Sequence, residues 1–595
     1  MLRLFACLSF AVAVAVNIAV VKAEEHAEHP SDKRLFWGDT HVHTNLSIDA
    51  FTAGNRSLGP KDAYKFAKGE PIELPDGQVG KINRPLDFMV VADHAEFLGG
   101  LNHLVECDFS KASESSDLQR EICSGARSVE SFSERDPQWK AAVLNYHRET
   151  SDLRKKWMEV IDAAEAHYEP GSFTSFIGFE WSPFAENSNA SLHRVVVFRD
   201  GADLASQVLP FSRYESQRPE DLWSYMDRYA MATGGDLLAI PHNGNLSSGR
   251  MFLPLTSEGA AMNAAHAAQR RRWEPLYEIT QIKGDGETHP LLSPTDEFAD
   301  FERWSWATDT AKPDATTAFT KQYEYARSGL HHGLHVHHGV GENPFEMGFV
   351  GSTDTHLSAS GIAEDAFLGK LPASLPGPDR IKQSGWHGWS LSASGLAAVW
   401  AEDNTREAIF AAMKRREVYA TTGPRIHLRF FGRYDLKANV LEEDDWTQIA
   451  YKPGVPMGSV LPANCDAGGL RFFIEAARDD ESAPIEVVEV IKGWRSADGE
   501  TKEMIFKVAQ TDPGNGEDRF LLQWKDPDFS PDVPAFYYVR VLEAETPRWS
   551  TLDAQRYGVK LPDTVPRSIR ERAYSSPIWY YPSSCAQTPA QTVEE

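Results

Sequence analysis

The sequence predicts an α/β chain with a mostly parallel sheet, followed by an antiparallel, β-sandwich-like region. Three observations carry this. Between Leu35 and Pro424, short runs rich in β-branched and aromatic residues alternate with amphipathic stretches such as 151–167 and 403–417, the pattern of strand–helix units. The runs include LDFMVVADH (86–94), FTSFIGFEW (173–181), RVVVF (194–198), DLLAIPHN (236–243), YEITQIK (277–283) and FEMGFVGSTDTH (345–356). Each stops at a polar residue, which is where α/β sheets gather their sites. Beyond residue 425 the runs IHLRFFG, LRFFIEAARD, IEVVEVIKGW, EMIFKVAQ, RFLLQWKD and AFYYVRVLEA follow one another with turns such as ADGE and DPGNGED between them, as in antiparallel sandwiches.

The 595 residues leave room for more than one domain, and a hydrophobic fraction of 42 % is enough to build a core and excludes wholesale disorder. With 60 basic against 86 acidic side chains and a net charge of -26, no nucleic-acid partner is expected. A small anionic substrate stays compatible with that charge, because a bound metal inverts the local field. The chain begins with Arg3, an apolar run from Leu4 to Val21, and small residues at Val21 and Ala23, which read as a signal peptide over residues 1–23. An uncleaved membrane anchor is the alternative. Cleavage would give a periplasmic or secreted protein with no membrane attachment, beginning with a polar leader over 24–34.

The remaining cysteines are Cys107, Cys123, Cys465 and Cys585, an even number that in an exported chain suggests two disulfides. The preferred pairs among the three connectivities are Cys107–Cys123 and Cys465–Cys585, each within one region; buried free thiols are the alternative. The boundaries expected are 35–425 for the α/β part, with insertions near 99–170 and 245–343, and 426–595 for the β-rich part.

The 20 histidines, against five cysteines, then become informative. His41 and His43 form an HxH pair, which a strand points to one side, towards one ion. Asp49 follows on a turn near the same strand end. His94, preceded by Asp93, ends the next strand. Glu180 is a carboxylate inside a run that reads as a buried strand, where it would be costly unpaired. His193 opens RVVVF, His242 ends DLLAI, and Asp354 and His356 share a face after GFVGS. Each alone also reads as a loop or helix cap. Repeated over six strand ends they predict a shared metal centre whose imidazole and carboxylate donors suit Zn, Mn or Fe and disfavour Ca or Cu(I).

The ordered set WGDTHVHTNLSIDAF, DFMVVADHAEF, IPHN, GFVGSTDTH and REVYATTGPRI resembles the PHP (polymerase and histidinol phosphatase) superfamily, in particular its secreted PHP-like branch catalogued as a domain of unknown function. The resemblance covers most of residues 34–430 and extends to the tail SSPIWYYP. It implies a distorted (β/α)7 barrel with two or three divalent ions at the strand ends. By motif, His41, His43, Glu180 and Asp354 would hold one ion. Glu180 would bridge to a second held by His193 and His242, and Asp49, His94 and His356 would hold a third. The turn SIDAF departs from the tighter SDG-like turn of many relatives, which makes Asp49 the least typical ligand.

The implied activity is a phosphoesterase in which a metal-bridging hydroxide attacks phosphorus, with Glu180, Asp354 and His242 nearest the chemistry and a small anionic ester as substrate. Asp39 and Asp93 would orient imidazoles or else cap helices. Arg194, Arg416 and Arg425 would clamp the anion or form ordinary ion pairs. His335, His337 and His338 read as a solvated loop or a peripheral metal site, and Trp386, His387 and Trp389 as pocket rim or packing. The same ligands would also serve a sulfatase, lactonase or amidase, or a non-catalytic binding protein held together by metal. The sequence does not give the oligomeric state.

Overall fold

A computed structural model describes residues 33–102, 152–183, 190–304, 320–383, 385, 388–434, 440–443, 445–463 and 469–582. The signal peptide, the four cysteines Cys107, Cys123, Cys465 and Cys585, and Trp386 and His387 lie outside the described residues. Among the described residues no helix is long and apolar enough to cross a membrane.

The N-terminal part contributes strands β1 (Arg34–Val42), β2 (Phe88–Val91), β3 (Thr174–Trp181), β4 (Arg194–Phe198), β5 (Leu237–Pro241), β6 (Leu276–Gln281), β7 (Gly348–Gly351), β8 (Leu396–Ala401) and β9 (Val418–Thr421). β2, β3, β4, β5, β6 and β8 are buried along their whole length, which explains their continuous apolar runs: both faces are covered. Full burial of a side chain such as Val196 or Phe198 contributes about 1.5–3 kcal/mol relative to exposure.

The sheet is mixed rather than mostly parallel. β1 pairs parallel with β2 and β2 with β3, but β3–β4, β4–β5, β1–β8 and β8–β9 are antiparallel. β4 follows β3 after residues 182–193 alone, a stretch short enough to turn the chain straight back along its neighbour. β6 and β7 form a separate parallel pair. Hydrogen bonds at both of its edges tie that pair to the main sheet. The backbone N–H of Gly244, just after β5, donates to Tyr277 Oη on β6 (3.1 Å). After β7, His43 N donates to Thr355 O and Asp354 N to His41 O, both at 2.8 Å. Gly351 is needed there: a Cβ would lie 2.7 Å from the Thr421 carbonyl oxygen and 2.8 Å from that of Leu396.

Helices cover the strands. α1 (Ile48–Thr52) and α2 (Pro60–Ala67) follow β1. α3 (Asp152–His167) buries Trp157, Val160, Ile161 and Ala164, one stripe at helical spacing, and packs on β3. α4 (Pro219–Thr233) and α5 (Ala264–Trp273) flank β5. α6 (Ala326–Val340) contains His335, His337 and His338, so the HVHH stretch is helix and not loop. Two of its three glycines are packing positions: a Cβ on Gly329 would meet the Phe252 ring, and one on Gly333 the Asn343 amide. The helix stops at Gly341 in the left-handed conformation. α7 (Arg406–Lys414) starts at Thr405, whose hydroxyl accepts from Ala408 N.

The C-terminal strands are β10 (His427–Tyr434), β11 (Leu470–Ala477), β12 (Ile485–Arg495), β13 (Thr501–Gln510), β14 (Arg519–Lys525), β15 (Ala535–Glu543), β16 (Arg572–Ser575) and β17 (Ile578–Tyr580). β10, β11 and β14 form an antiparallel sheet of their own. β16 pairs with β9, and β15 and β12 follow, so that these strands extend the central sheet directly. A wholly buried ionic cluster fastens this extension: Arg540 on β15 donates to Asp296 (2.7 Å), Glu489 (2.7 Å) and Glu287 (2.9 Å). Arg327 on α6 shares Glu287 and Asp296.

Carboxyls whose pKa burial raises lie among the same strands. Burial pushes Glu543 up from 4.5 to about 8, the hydroxyl of Ser482 offsetting it only in part. Burial and the neighbouring Glu287 push Asp285 up from 3.8 to about 7. These groups bind protons more tightly in the folded chain. Their contribution to stability is therefore fully present at low pH and is lost as pH rises through the folded values. Partly buried histidines held low, such as His332 at about 4, act with the opposite sign only below their ordinary value of 6.5. The urea midpoint is expected to fall between about pH 6.5 and 8, and Glu543→Gln to flatten that fall; an unchanged slope in the variant would remove Glu543 from the explanation.

Candidate metal centre

The centre is built at the ends of β1, β2, β3 and β5 and just beyond β7. Glu180 is its hub: buried, one residue from the end of β3, and reached by imidazoles from four other segments. Its Oε2 lies 3.2 Å from His41 Nε2, 3.0 Å from His43 Nε2 and 3.4 Å from His94 Nδ1. Its Oε1 lies 2.6 Å from His193 Nδ1 and 3.2 Å from His242 Nε2. The strand-end backbone fixes it: Glu180 N donates to Asp93 O and Ala95 N to Glu180 O. Asp49 Oδ2 is 3.1 Å from His94 Nε2 and 3.5 Å from His356 Nδ1.

Among the described residues, donor atoms gather in four triplets, each within 4.8 Å: His41, His43 and Glu180; Glu180, His193 and His242; His43, Asp49 and His356; and His41, His242 and Glu278. Seven of the nine ligands named from the sequence fall in these triplets; His94 and Asp354 do not, and lie beside them, 3.4 Å from Glu180 Oε2 and 3.4 Å from His43 Nε2. Glu278, in the middle of β6, is not among the ligands named from the sequence. It accepts from His41 Nδ1 at 3.1 Å.

The rings are held for coordination. His43 Nδ1 faces Ser47 Oγ (2.7 Å), and that hydroxyl donates to Asp93 (2.9 Å), so the ring carries its proton on Nδ1. His94 Nδ1 faces the hydroxyl of Ser182, which donates to Glu180 Oε1. With Glu278 on His41, three rings are gripped at Nδ1, which leaves Nε2 as the donor to a metal. Asp93 thus reaches His43 through Ser47 and also takes the N–H and hydroxyl of Thr44. Asp39 accepts from Thr353 and Ser360 hydroxyls and from His41 N, and it ties β1 to the segment after β7 without touching a ring.

Asp354 is held differently. Lys283 and Lys370 both pair with it, Lys370 Nζ at 2.7 Å from Oδ1, and Gln281 donates to Oδ2 at 2.8 Å. Its Oδ1 remains 3.4 Å from His43 Nε2 and 3.2 Å from His356 Nε2. Asp354 itself (φ 55°) and Asn243 beside His242 (φ 57°) adopt left-handed backbone, a conformation non-glycine residues adopt at about 1–3 kcal/mol and which clusters at functional sites.

The electrostatics fit a cation. Burial alone would lower His41 and His94, yet the carboxylates around them win: Glu278 and Asp354 raise His41 to about 10, and Asp49 and Glu180 raise His94 to about 9. A cage that forces protons onto two buried rings has excess negative charge that a metal ion neutralises. Burial keeps His193 near 4 and His356 near 3, neutral and ready to donate a lone pair. Burial opposes ionisation of Glu180, but His94, His193 and His242 hold it well below the usual carboxylate range. Lys283 and Lys370 do the same for Asp354. Donor set, burial and charge all fit divalent ions.

The arginines are committed to other partners. Arg194 is buried, 3.0 Å from Glu274 and over the Trp181 ring. Arg425 donates to the carbonyl oxygens of Arg84 and Pro85, ahead of β2. Arg416 precedes β9, at the opposite end of that strand from Thr421, and pairs with Glu346 at 2.9 Å. His337 stacks on Tyr581 with centroids 4.0 Å apart, and His335 faces Arg495.

Fold and site together define a mixed α/β protein with a buried imidazole–carboxylate cluster positioned to bind metal. The chain belongs to the family described as "Protein of unknown function (DUF3604)", whose model matches residues 30–515 and 510–582. No curated protein matches it. Among solved structures it is similar to a two-domain protein from Bacteroides vulgatus ATCC 8482 containing a predicted PHP-like metal-dependent phosphoesterase. That match has 10 % identity over 85 % of this chain and 90 % of the other, with a TM-score of 0.27, a likeness too slight to carry an argument about fold or activity.

Proposed function

We propose that this chain is an exported metal-dependent hydrolase acting on phosphoesters, on a distorted (β/α)7 PHP-type barrel whose ring runs β1–β5, β6, β7 and back to β1. The observation that carries the reading is Glu180, a buried carboxylate with imidazoles of His41, His43 and His94 on one oxygen and of His193 and His242 on the other. A carboxylate so placed can serve two neighbouring ions. Two or three ions of Zn, Mn or Fe held there would supply Lewis acidity and bring the pKa of water towards neutrality.

The chain's own residues do the rest. Glu278, Ser47 and Ser182 fix the ring orientations of His41, His43 and His94. Glu180 and Asp354 stay ionised at neutral pH, the state in which they can hold cations. Lys283 and Lys370, both buried beside Asp354, add positive charge where an anionic ester would approach and where charge develops during its cleavage. This local charge favours a phosphoester over a lactone or amide. Export through residues 1–23 and the disulfides Cys107–Cys123 and Cys465–Cys585 belong to the same proposal.

The test is hydrolysis of aryl phosphate monoesters, aryl phosphate diesters and aryl sulfate by the purified protein supplied in turn with Zn, Mn and Fe. Chelator-sensitive turnover of a phosphate ester, exceeding that of the sulfate, is expected. Turnover of the sulfate alone would move the substrate class, and no turnover of any would leave a metal-stabilised binding protein.

A further inference from the structure

An open cavity on the protein surface lies away from the metal centre. It measures about 540 Å³ and is walled by Arg199, Arg271, Arg272, Lys414 and Arg416, with Asp236 and Glu346 as its carboxylates. Its place in the fold is set by strand direction. Asp236 immediately precedes β5, and Glu346 and Arg416 stand ahead of β7 and β9, while Arg199 follows β4, which runs antiparallel to β5. His242, by contrast, immediately follows β5. The cavity is therefore at the other end of the strands, about 20 Å from His242 along β5 at ~3.3 Å per residue.

Five cations and two carboxylates wall one cavity in a chain of net charge -26. Carboxylates steady the cations. Arg199 pairs with Asp200 (2.8 Å), Arg271 with Glu342 (2.9 Å), Arg272 with Asp227 (3.2 Å) and Lys414 with Asp236 (3.2 Å). Arg416 pairs with Glu346 (2.9 Å), to which Arg271 also comes within 3.7 Å. Asp200, Asp227 and Glu342 are not among the cavity's walls, so the cations outnumber the carboxylates on its inner surface. A guanidinium carries five donors in a rigid fork, so one edge can rest on a carboxylate while another addresses a ligand. Burial lowers Lys414 and Arg416, Asp236 and Glu346 offset it only in part, and the neighbouring cations Arg272 and Arg199 (on Lys414) and Arg271 (on Arg416) add to the lowering. An anion in the cavity would relieve that crowding.

We infer that this cavity binds a small phosphate-bearing polyanion, at a site separate from the metal centre. A monovalent carboxylate would meet too little of the charge, whereas a tetrahedral oxyanion carrying two or more charges matches several guanidinium forks at once. The inference does not depend on what the metal centre hydrolyses.

Calorimetric titration of the full chain with pyrophosphate, and separately with sulfate, tests it. Three proteins are compared: the natural sequence, Arg271→Gln with Arg272→Gln, and Glu180→Gln. Binding is expected in the natural sequence, tighter for pyrophosphate than for sulfate. It is expected to persist in Glu180→Gln and to weaken at least tenfold in the double variant. Loss in Glu180→Gln with retention in the double variant would place the anion at the metal centre and overturn the inference, as would no binding at all. Thermal melting checks that each variant folds. Should the double variant fail to fold, Lys414→Gln is expected to weaken binding by itself, and unaltered affinity there would equally overturn the site.

Discussion

Glu180→Gln is expected to abolish nearly all hydrolysis while the protein remains folded. Glutamine keeps the shape of the side chain and removes the charge that His94, His193 and His242 hold in place. Its amide offers one acceptor oxygen, where five imidazoles face two. Loss of a partner behind a ligand usually lowers metal affinity or activity ~10–100-fold, and that is the effect expected for Glu278→Gln, which loosens the His41 ring. Losing a carboxylate that faces both clusters of rings should exceed it. Steady-state kcat/KM for the best aryl phosphate in the two variants makes the comparison, and equal losses would mean that Glu180 is no more central than Glu278.

Arg540→Met is expected to produce the largest loss of stability. Arg540 is wholly buried and donates to Glu287, Asp296 and Glu489. Methionine fills similar space but leaves those carboxylates facing one another, with Arg327 as the remaining cation on Glu287 and Asp296. Breaking one side of a buried ionic cluster costs about 3–5 kcal/mol. The effect reaches the site through segment 284–304, which carries Glu287 and Asp296 and follows directly after Lys283. Urea denaturation measures the loss; a change under about 1 kcal/mol, the usual worth of an exposed pair, would mean that the cluster is not the fastening it looks like in the fold.

Much of the centre was legible because its residues sit where short motifs meet strand ends. HxH on β1, DH after β2 and DTH after β7 declare themselves by spacing, and Glu180 by being a charge inside an apolar run. Glu278 carries the same signal, a carboxylate in the apolar run YEITQIK, but without a histidine beside it in sequence to mark it as a ligand partner. Lys283 and Lys370 left no such signal: a lysine near a turn reads as solvated, and only the fold shows both buried against Asp354.

Strand direction was the main loss. A strand buried on both faces has the same apolar pattern whichever way it runs, so antiparallel β4 and β8 were indistinguishable from parallel strands. The pairing of β9 with β16, which merges the C-terminal strands into the central sheet, is a long-range contact that no local pattern encodes. Arg416 takes the second of its two sequence readings: it stands ahead of β9, at the cavity end, and forms an ion pair with Glu346.

The central claim is that the rings and carboxylates around Glu180 hold metal. The most direct measurement is metal content by mass spectrometry of the purified protein, before and after reconstitution with Zn, Mn or Fe, for the natural sequence and for Glu180→Gln. At least two ions per chain in the former, and fewer than one in the latter, are predicted. A natural chain that stays metal-free after reconstitution, or a variant that binds as much metal, would contradict it.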